Sequence, residues 1–330
     1  MHHRLTPAAL LTAGALLLTG CGAGTNRTGG NNTEKLRIVC TIFPEYDWTK
    51  QILGSHIDEV ELHYVLDSGA DLHSFQPTME DMMMIGDCDL FMYIGGESDE
   101  WTADAIAESV NPQMQTVALL DALGDAAVTE EVREGMQAEE DEEAEEGEED
   151  APEYDEHVWL SVRNAKKLCG VIADKLCQID SKNADDYRAN LAAYTEKLDR
   201  LDQDFQILTD GAQQKTLLFG DRFPFRYFTE DYGLDYYAAF VGCSAETEAS
   251  FETVVFLANK LDELGLDTVY TIESSDGAIA RTIIENTKDK NQQIAVLNSI
   301  QSVTADQVKS GTTYLSLMQQ NYDVLKAHLK

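Results

Sequence analysis

From Lys35 onward, short apolar runs alternate with stretches of helical period. Residues 36–43 read as a buried strand, 47–53 as a helix, and 60–65 as a strand with two-residue alternation. A helix at 78–85, a strand at 90–94 and a helix at 98–109 continue the series. Strands and helices in strict alternation predict a parallel sheet with helices on both faces.

Residues 158–179 are helical in pattern. In 183–209, apolar residues then fall at Tyr187, Leu191, Tyr194, Leu198, Leu201, Phe205 and Leu208, in alternating steps of 4 and 3. Sustained over that length, the stripe predicts roughly 40 Å of helix. It reads as a stiff strut between two lobes; the alternative is a two-helix hairpin packed on one lobe. A second series follows, with strands at 215–219, 236–240, 268–272 and 294–297 and helices at 225–232, 251–264, 278–287 and 312–329. Ser250 suits the start of the helix at 251, and Gly265 its end. The expected fold class is therefore α/β, with two αβ lobes (35–160 and 211–330) joined through helices at 161–210. Open α/β sheets bind ligands beyond the carboxyl ends of their strands, which places the expected cleft between the lobes.

Charge narrows the partners. The 330 residues carry 60 acidic and 24 basic side chains, a formal charge of −36. Such a surface repels nucleic acid and gives no electrostatic hold on anionic lipid. Much of the excess is local: 130–156 holds 16 acidic residues and one basic residue, Arg133. Within it, 139–150 is expected to be a solvated loop, either a weak collector of cations or simply a solubilising segment.

The chain opens with a basic tetrapeptide, an apolar run at 5–18, and Leu18-Thr19-Gly20-Cys21. This is the pattern of a secretory signal ending in a sequence that resembles the bacterial lipobox, with Cys21 as the lipidated residue. A Gly/Asn/Thr-rich tether at 22–33 follows. The other cysteines are Cys40, Cys88, Cys169, Cys177 and Cys243. Cys169 and Cys177 lie about 12 Å apart along one helix, too far for a disulfide. Cys40 and Cys88 fall at opposite ends of a parallel sheet, and there is no CxxC or Cys/His knuckle, so all five are expected to be free, buried thiols.

Two histidines sit where loops carry function. His73 lies in Gly69-Ala70-Asp71-Leu72-His73, between a strand and a helix, and His157 in Asp155-Glu156-His157-Val158-Trp159-Leu160, where the acidic segment runs into a helix. Together with 40–47 (Cys-Thr-Ile-Phe-Pro-Glu-Tyr-Asp) and with 225–234 (Phe-Arg-Tyr-Phe through Tyr-Gly-Leu), these stretches resemble the metal-binding solute-binding lipoproteins of bacterial zinc and manganese ABC importers. The resemblance spans the whole mature chain. It implies capture of a divalent metal, zinc first and manganese as the alternative, outside the cell. Delivery would be to a permease and its ATPase subunits by a lipid-anchored monomer with no catalytic turnover.

By the same resemblance, His73 and His157 are metal ligands from the first lobe. The family's third ligand position falls on Arg222, whose guanidinium cannot ligate, so neighbouring Asp221 is expected to serve. The fourth falls on Asn298, with Glu273, Glu246 and Glu248 as further candidates. The acidic insertion before His157 points toward zinc. Surface adhesion and secreted metallohydrolase activity are competing functions, but the chain has neither HExxH nor Gly-x-Ser-x-Gly.

Overall fold

The computed structural model describes residues 35–137, 153–244 and 248–329. Cys21, the tether at 22–33, the loop at 139–150 and Glu246 lie outside the described residues.

The first lobe is built from β1 (Leu36–Cys40), α1 (Phe43–Leu53), β2 (Val60–Tyr64), α2 (Met79–Gly86), β3 (Leu90–Tyr93), α3 (Trp101–Ala107), β4 (Gln115–Ala118) and α4 (Leu119–Leu123). Its four strands are parallel, in the order β2-β1-β3-β4. β1 ends three residues before the expected Phe43 because a helix begins there. Pro44 occupies the first turn, where a missing N–H costs no hydrogen bond, and the Glu45 carboxylate accepts from the N–H groups of Thr41 and Ile42.

Two helices follow, α5 (Val162–Ile179) and α6 (Ala184–Gly211). At 28 residues, α6 is roughly 42 Å long. Tyr187, Tyr194, Leu198, Leu201 and Phe205 of its apolar stripe are buried.

The second lobe comprises β5 (Thr216–Phe223), α7 (Arg226–Tyr232), β6 (Asp235–Val241), α8 (Phe251–Leu264), β7 (Thr268–Ile272), α9 (Ala278–Glu285), β8 (Gln293–Leu297), α10 (Ala305–Lys309) and α11 (Tyr314–His328). Its parallel sheet runs β6-β5-β7-β8. The Ser250 side chain caps α8 by accepting from Thr253 N–H, and Gly265 ends it in a left-handed conformation, as expected from the sequence. β5 runs beyond its expected end at 219, through a register shift between Phe219 and Arg222 that carries Asp221 and Arg222 to the sheet's carboxyl edge.

The strut and hairpin readings of α6 each describe part of its packing. It lies along α5, and it also reaches both lobes. Near its start, Asn190 Nδ2 donates to Ile52 O at 2.9 Å; near its end, the Phe205 ring meets Phe228, Tyr232 and Tyr322. The lobes are stitched together at several further points. Tyr314 N–H donates to Asp47 Oδ2 (2.9 Å) and its hydroxyl to Trp159 O (2.7 Å). The Trp159 indole donates to Ser299 O (2.8 Å), and the Tyr64 hydroxyl to Val303 O (2.9 Å). One apolar core includes Phe43, Trp48 and Phe91 of the first lobe together with Phe219, Tyr270 and Leu297 of the second. A smaller cluster, including Leu218, Leu257 and Ile283, covers the other face of the second sheet. Among the described residues, no helix is long and apolar enough to cross a membrane.

The near end of the acidic segment, ahead of the expected loop at 139–150, belongs to the fold. Residues 133–137 pack on the second lobe: Gln137 pairs with Phe240 of β6, and Arg133 stacks over the Tyr236 ring while pairing with Asp235.

Candidate metal centre

His73 sits in a single 3-10 turn, Leu72–Ser74, that follows β2. Asp71 fixes the start of that turn by accepting from His73 N–H at 3.0 Å. The imidazole is then held through Nδ1, 2.7 Å from Ser98 Oγ, and its Nε2 points toward His157. His157 is fully buried. Asp155 Oδ1 accepts from His157 N–H at 2.8 Å and lies 3.0 Å from Nδ1. With an oxygen beside each Nδ1, the tautomers protonated at Nδ1 would turn both Nε2 lone pairs to the centre, the arrangement that orients histidines toward a metal. The two Nε2 atoms are 3.2 Å apart. Two nitrogens bound to one tetrahedral zinc at about 2.0–2.1 Å would be roughly 3.3 Å apart.

Burial, with a contribution from His157, pushes the His73 imidazole down to about 3. It is therefore neutral at ordinary pH, the form that ligates. Glu156 lies beside the pair. Its Oε1 accepts from Ser98 N–H at 2.8 Å, while Oε2 has no hydrogen-bond partner and stands 3.7 Å from His73 Nδ1. Burial holds its carboxyl above the usual range. Gly96 makes room for it: a Cβ there would lie 2.2 Å from Glu156 Oε1.

A third group completes the cluster. The Cys243 sulfur and the two histidine nitrogens all lie within 4.8 Å of one another. Cys243 follows β6 and is half-buried, its N–H donating to Glu130 Oε1 at 2.9 Å. Burial raises its thiol pKa, with the charges of Asp155, Glu130 and Glu156 adding to the effect. A cavity of about 440 Å³ opens beside the cluster, and its lining includes His73, Glu130, Glu156 and Cys243.

The structure does not bring Asp221, Glu273 or Asn298 into this group of three. The Asp221 carboxylate turns inward, accepting from the N–H groups of Arg222 (2.9 Å) and Ile272 (3.4 Å). Glu273 accepts from both N–H and hydroxyl of Ser299, at 2.6 and 2.9 Å. Asn298 caps its own turn, with Oδ1 accepting from Ile300 N–H at 2.8 Å. Each shapes a loop of the second lobe. Arg222, at the family's third ligand position, pairs with Asp71 and donates to Ser244 O, so it ties the His73 loop to the Cys243 loop.

Cys243 also corrects the expectation of uniformly buried thiols. The five cysteines of the described residues are free, but only Cys40, Cys88 and Cys169 are buried, while Cys177 and Cys243 are half-buried. The overlooked signal was positional. Cys243 lies two residues past the end of β6, at the carboxyl edge of the second sheet, where ligands bind.

Two parallel αβ lobes, closed over a His/His/Cys cluster at their strand ends, define a metal-site protein of the two-lobed binding class. The family described as "Zinc-uptake complex component A periplasmic" matches residues 38–328, and the chain belongs to it. Among its relatives is the zinc-binding protein AdcA of Streptococcus pyogenes, 27% identical over 297 residues, which cover 88% of this chain and 56% of that one. The chain thus spans little more than half the length of that relative. The high-affinity zinc uptake system protein ZnuA of Bacillus subtilis is 28% identical over 321 residues, covering 97% of this chain and 96% of that one. The Zn(II)-bound ZnuA-like domain of Streptococcus pneumoniae AdcA superposes with a TM-score of 0.68 at 27% identity, over 89% of this chain and 99% of that domain.

Proposed function

We propose that this protein captures Zn²⁺ outside the cytoplasmic membrane and passes it to the permease of an ABC importer, without turnover. The observation that carries the reading is the pair of Nε2 atoms 3.2 Å apart, each set by an oxygen on its Nδ1. His73 and His157 are the proposed ligands, with Asp221, Glu273 and Asn298 holding the second-lobe loops behind them. Family membership and the zinc-binding names of the relatives support zinc as cargo. The lipobox-like sequence at 18–21 supports attachment to the membrane through lipid on Cys21.

The test is metal counting by native mass spectrometry on protein beginning after Cys21, followed by competition titration of zinc against manganese. One tight zinc is expected, lost in the His73→Ala/His157→Ala double variant. Tight zinc retained by that variant would remove these histidines from the site. Manganese outcompeting zinc would change the cargo.

A further inference from the structure

We propose that Cys243 is the third ligand of this centre, so that the cargo is held by two imidazoles and a thiolate and hard cations are disfavoured. This rests on the capture reading above and specifies its chemistry.

Three observations support it. One ring nitrogen each of His73 and His157 and the Cys243 sulfur lie mutually within 4.8 Å, the one such group of potential ligands among the described residues. For tetrahedral zinc, with Zn–N about 2.0–2.1 Å and Zn–S about 2.3 Å, the nitrogen–sulfur separation is roughly 3.6 Å. A shift of about 1 Å closes the set. The chain around Cys243 is also built for close approach. Gly242 lies so near His157 that a Cβ there would be 3.1 Å from its Nδ1 and 3.0 Å from Phe223 O. The cysteine's own N–H is fixed by Glu130, and the next carbonyl, of Ser244, by Arg222. Finally, the second-lobe residues expected to ligate are engaged elsewhere, and arginine stands where a ligand was expected.

As the metal–sulfur bond forms, the thiol proton leaves to solvent. The acidic side chains of Asp155, Glu130 and Glu156 then face a cation. Thiolate is a soft donor suited to zinc, whereas manganese favours oxygen. Two imidazoles and one sulfur therefore build a preference for zinc into the donor atoms.

Cobalt(II) reports the sulfur directly. The wild-type protein loaded with Co²⁺ should show thiolate-to-metal charge-transfer absorption in the near ultraviolet, and Cys243→Ser should lose it while keeping the circular dichroism of the parent. Zinc affinity of the Ser variant should fall by at least the roughly 10–100-fold that loss of an outer partner alone costs. Manganese affinity should change much less, so the zinc preference narrows. Tight Co²⁺ binding by wild type without the charge-transfer band overturns the assignment and leaves capture by His73 and His157 standing. Failure of wild type to bind either zinc or cobalt overturns both readings.

Discussion

Asp99 shows how a single buried acid leaves its mark on the whole protein. Its Oδ2 accepts from the N–H groups of Ile94 and Gly95 just past β3, and its Oδ1 has no partner. Burial pushes the carboxyl up to about 7, opposed by those N–H donors and reinforced by the charge of Glu156. The folded protein thus holds a proton on Asp99 that the unfolded chain, titrating near 4, has released. Its contribution is fully present below pH 4 and is lost as pH rises toward 7, with a slope of up to about 1.4 kcal/mol per pH unit. Asp99→Asn keeps the two acceptor contacts and removes the titration. Its urea-unfolding free energy should fall less steeply between pH 4 and 7 than that of the parent, and identical slopes would exclude Asp99 as a source. His73 and His157, the proposed ligands, stood out in the sequence because each stands in a short loop whose neighbours announce it. Cys243 did not. Its partners are 86 and 170 positions away, and only the closing of two lobes brings them to it.

Among the elements, α6 was the most legible, because seven apolar positions in alternating steps of 4 and 3 leave little else for the chain to do. β4 went unread. It is four residues long, one of them buried, and it exists because β3 offers it a parallel ladder. The fold of β5 past Phe219 was equally invisible, since a register shift is decided by neighbouring strands. Within α6, Leu198 is fully buried in the core shared by both lobes. Leu198→Ala should therefore destabilise the protein by about 2–5 kcal/mol in chemical denaturation while leaving metal stoichiometry unchanged. A loss below 1 kcal/mol would mean that the strut is held by its ends alone.

For the molecule as a whole, the shared core and the bonds from Tyr314 and Trp159 across the lobes argue against a wide hinge. Such a body changes state through its loops more readily than through a helix of 28 residues. Zinc should slow amide hydrogen exchange around His73 and in 241–244, with α6 unaffected. Slowing spread along α6 would instead indicate that the lobes swing.

The pairing of Gln137 on β6 has another effect. β6 lies at the margin of its sheet, where unpaired N–H and C=O groups invite a strand from another molecule. Gln137 N–H donates to Ala239 O at 2.9 Å in an isolated bridge, so the chain pairs one position of that margin itself, three residues short of Cys243. A stranger's strand must first displace that bridge, and the border of the sheet is guarded at the end nearest Cys243.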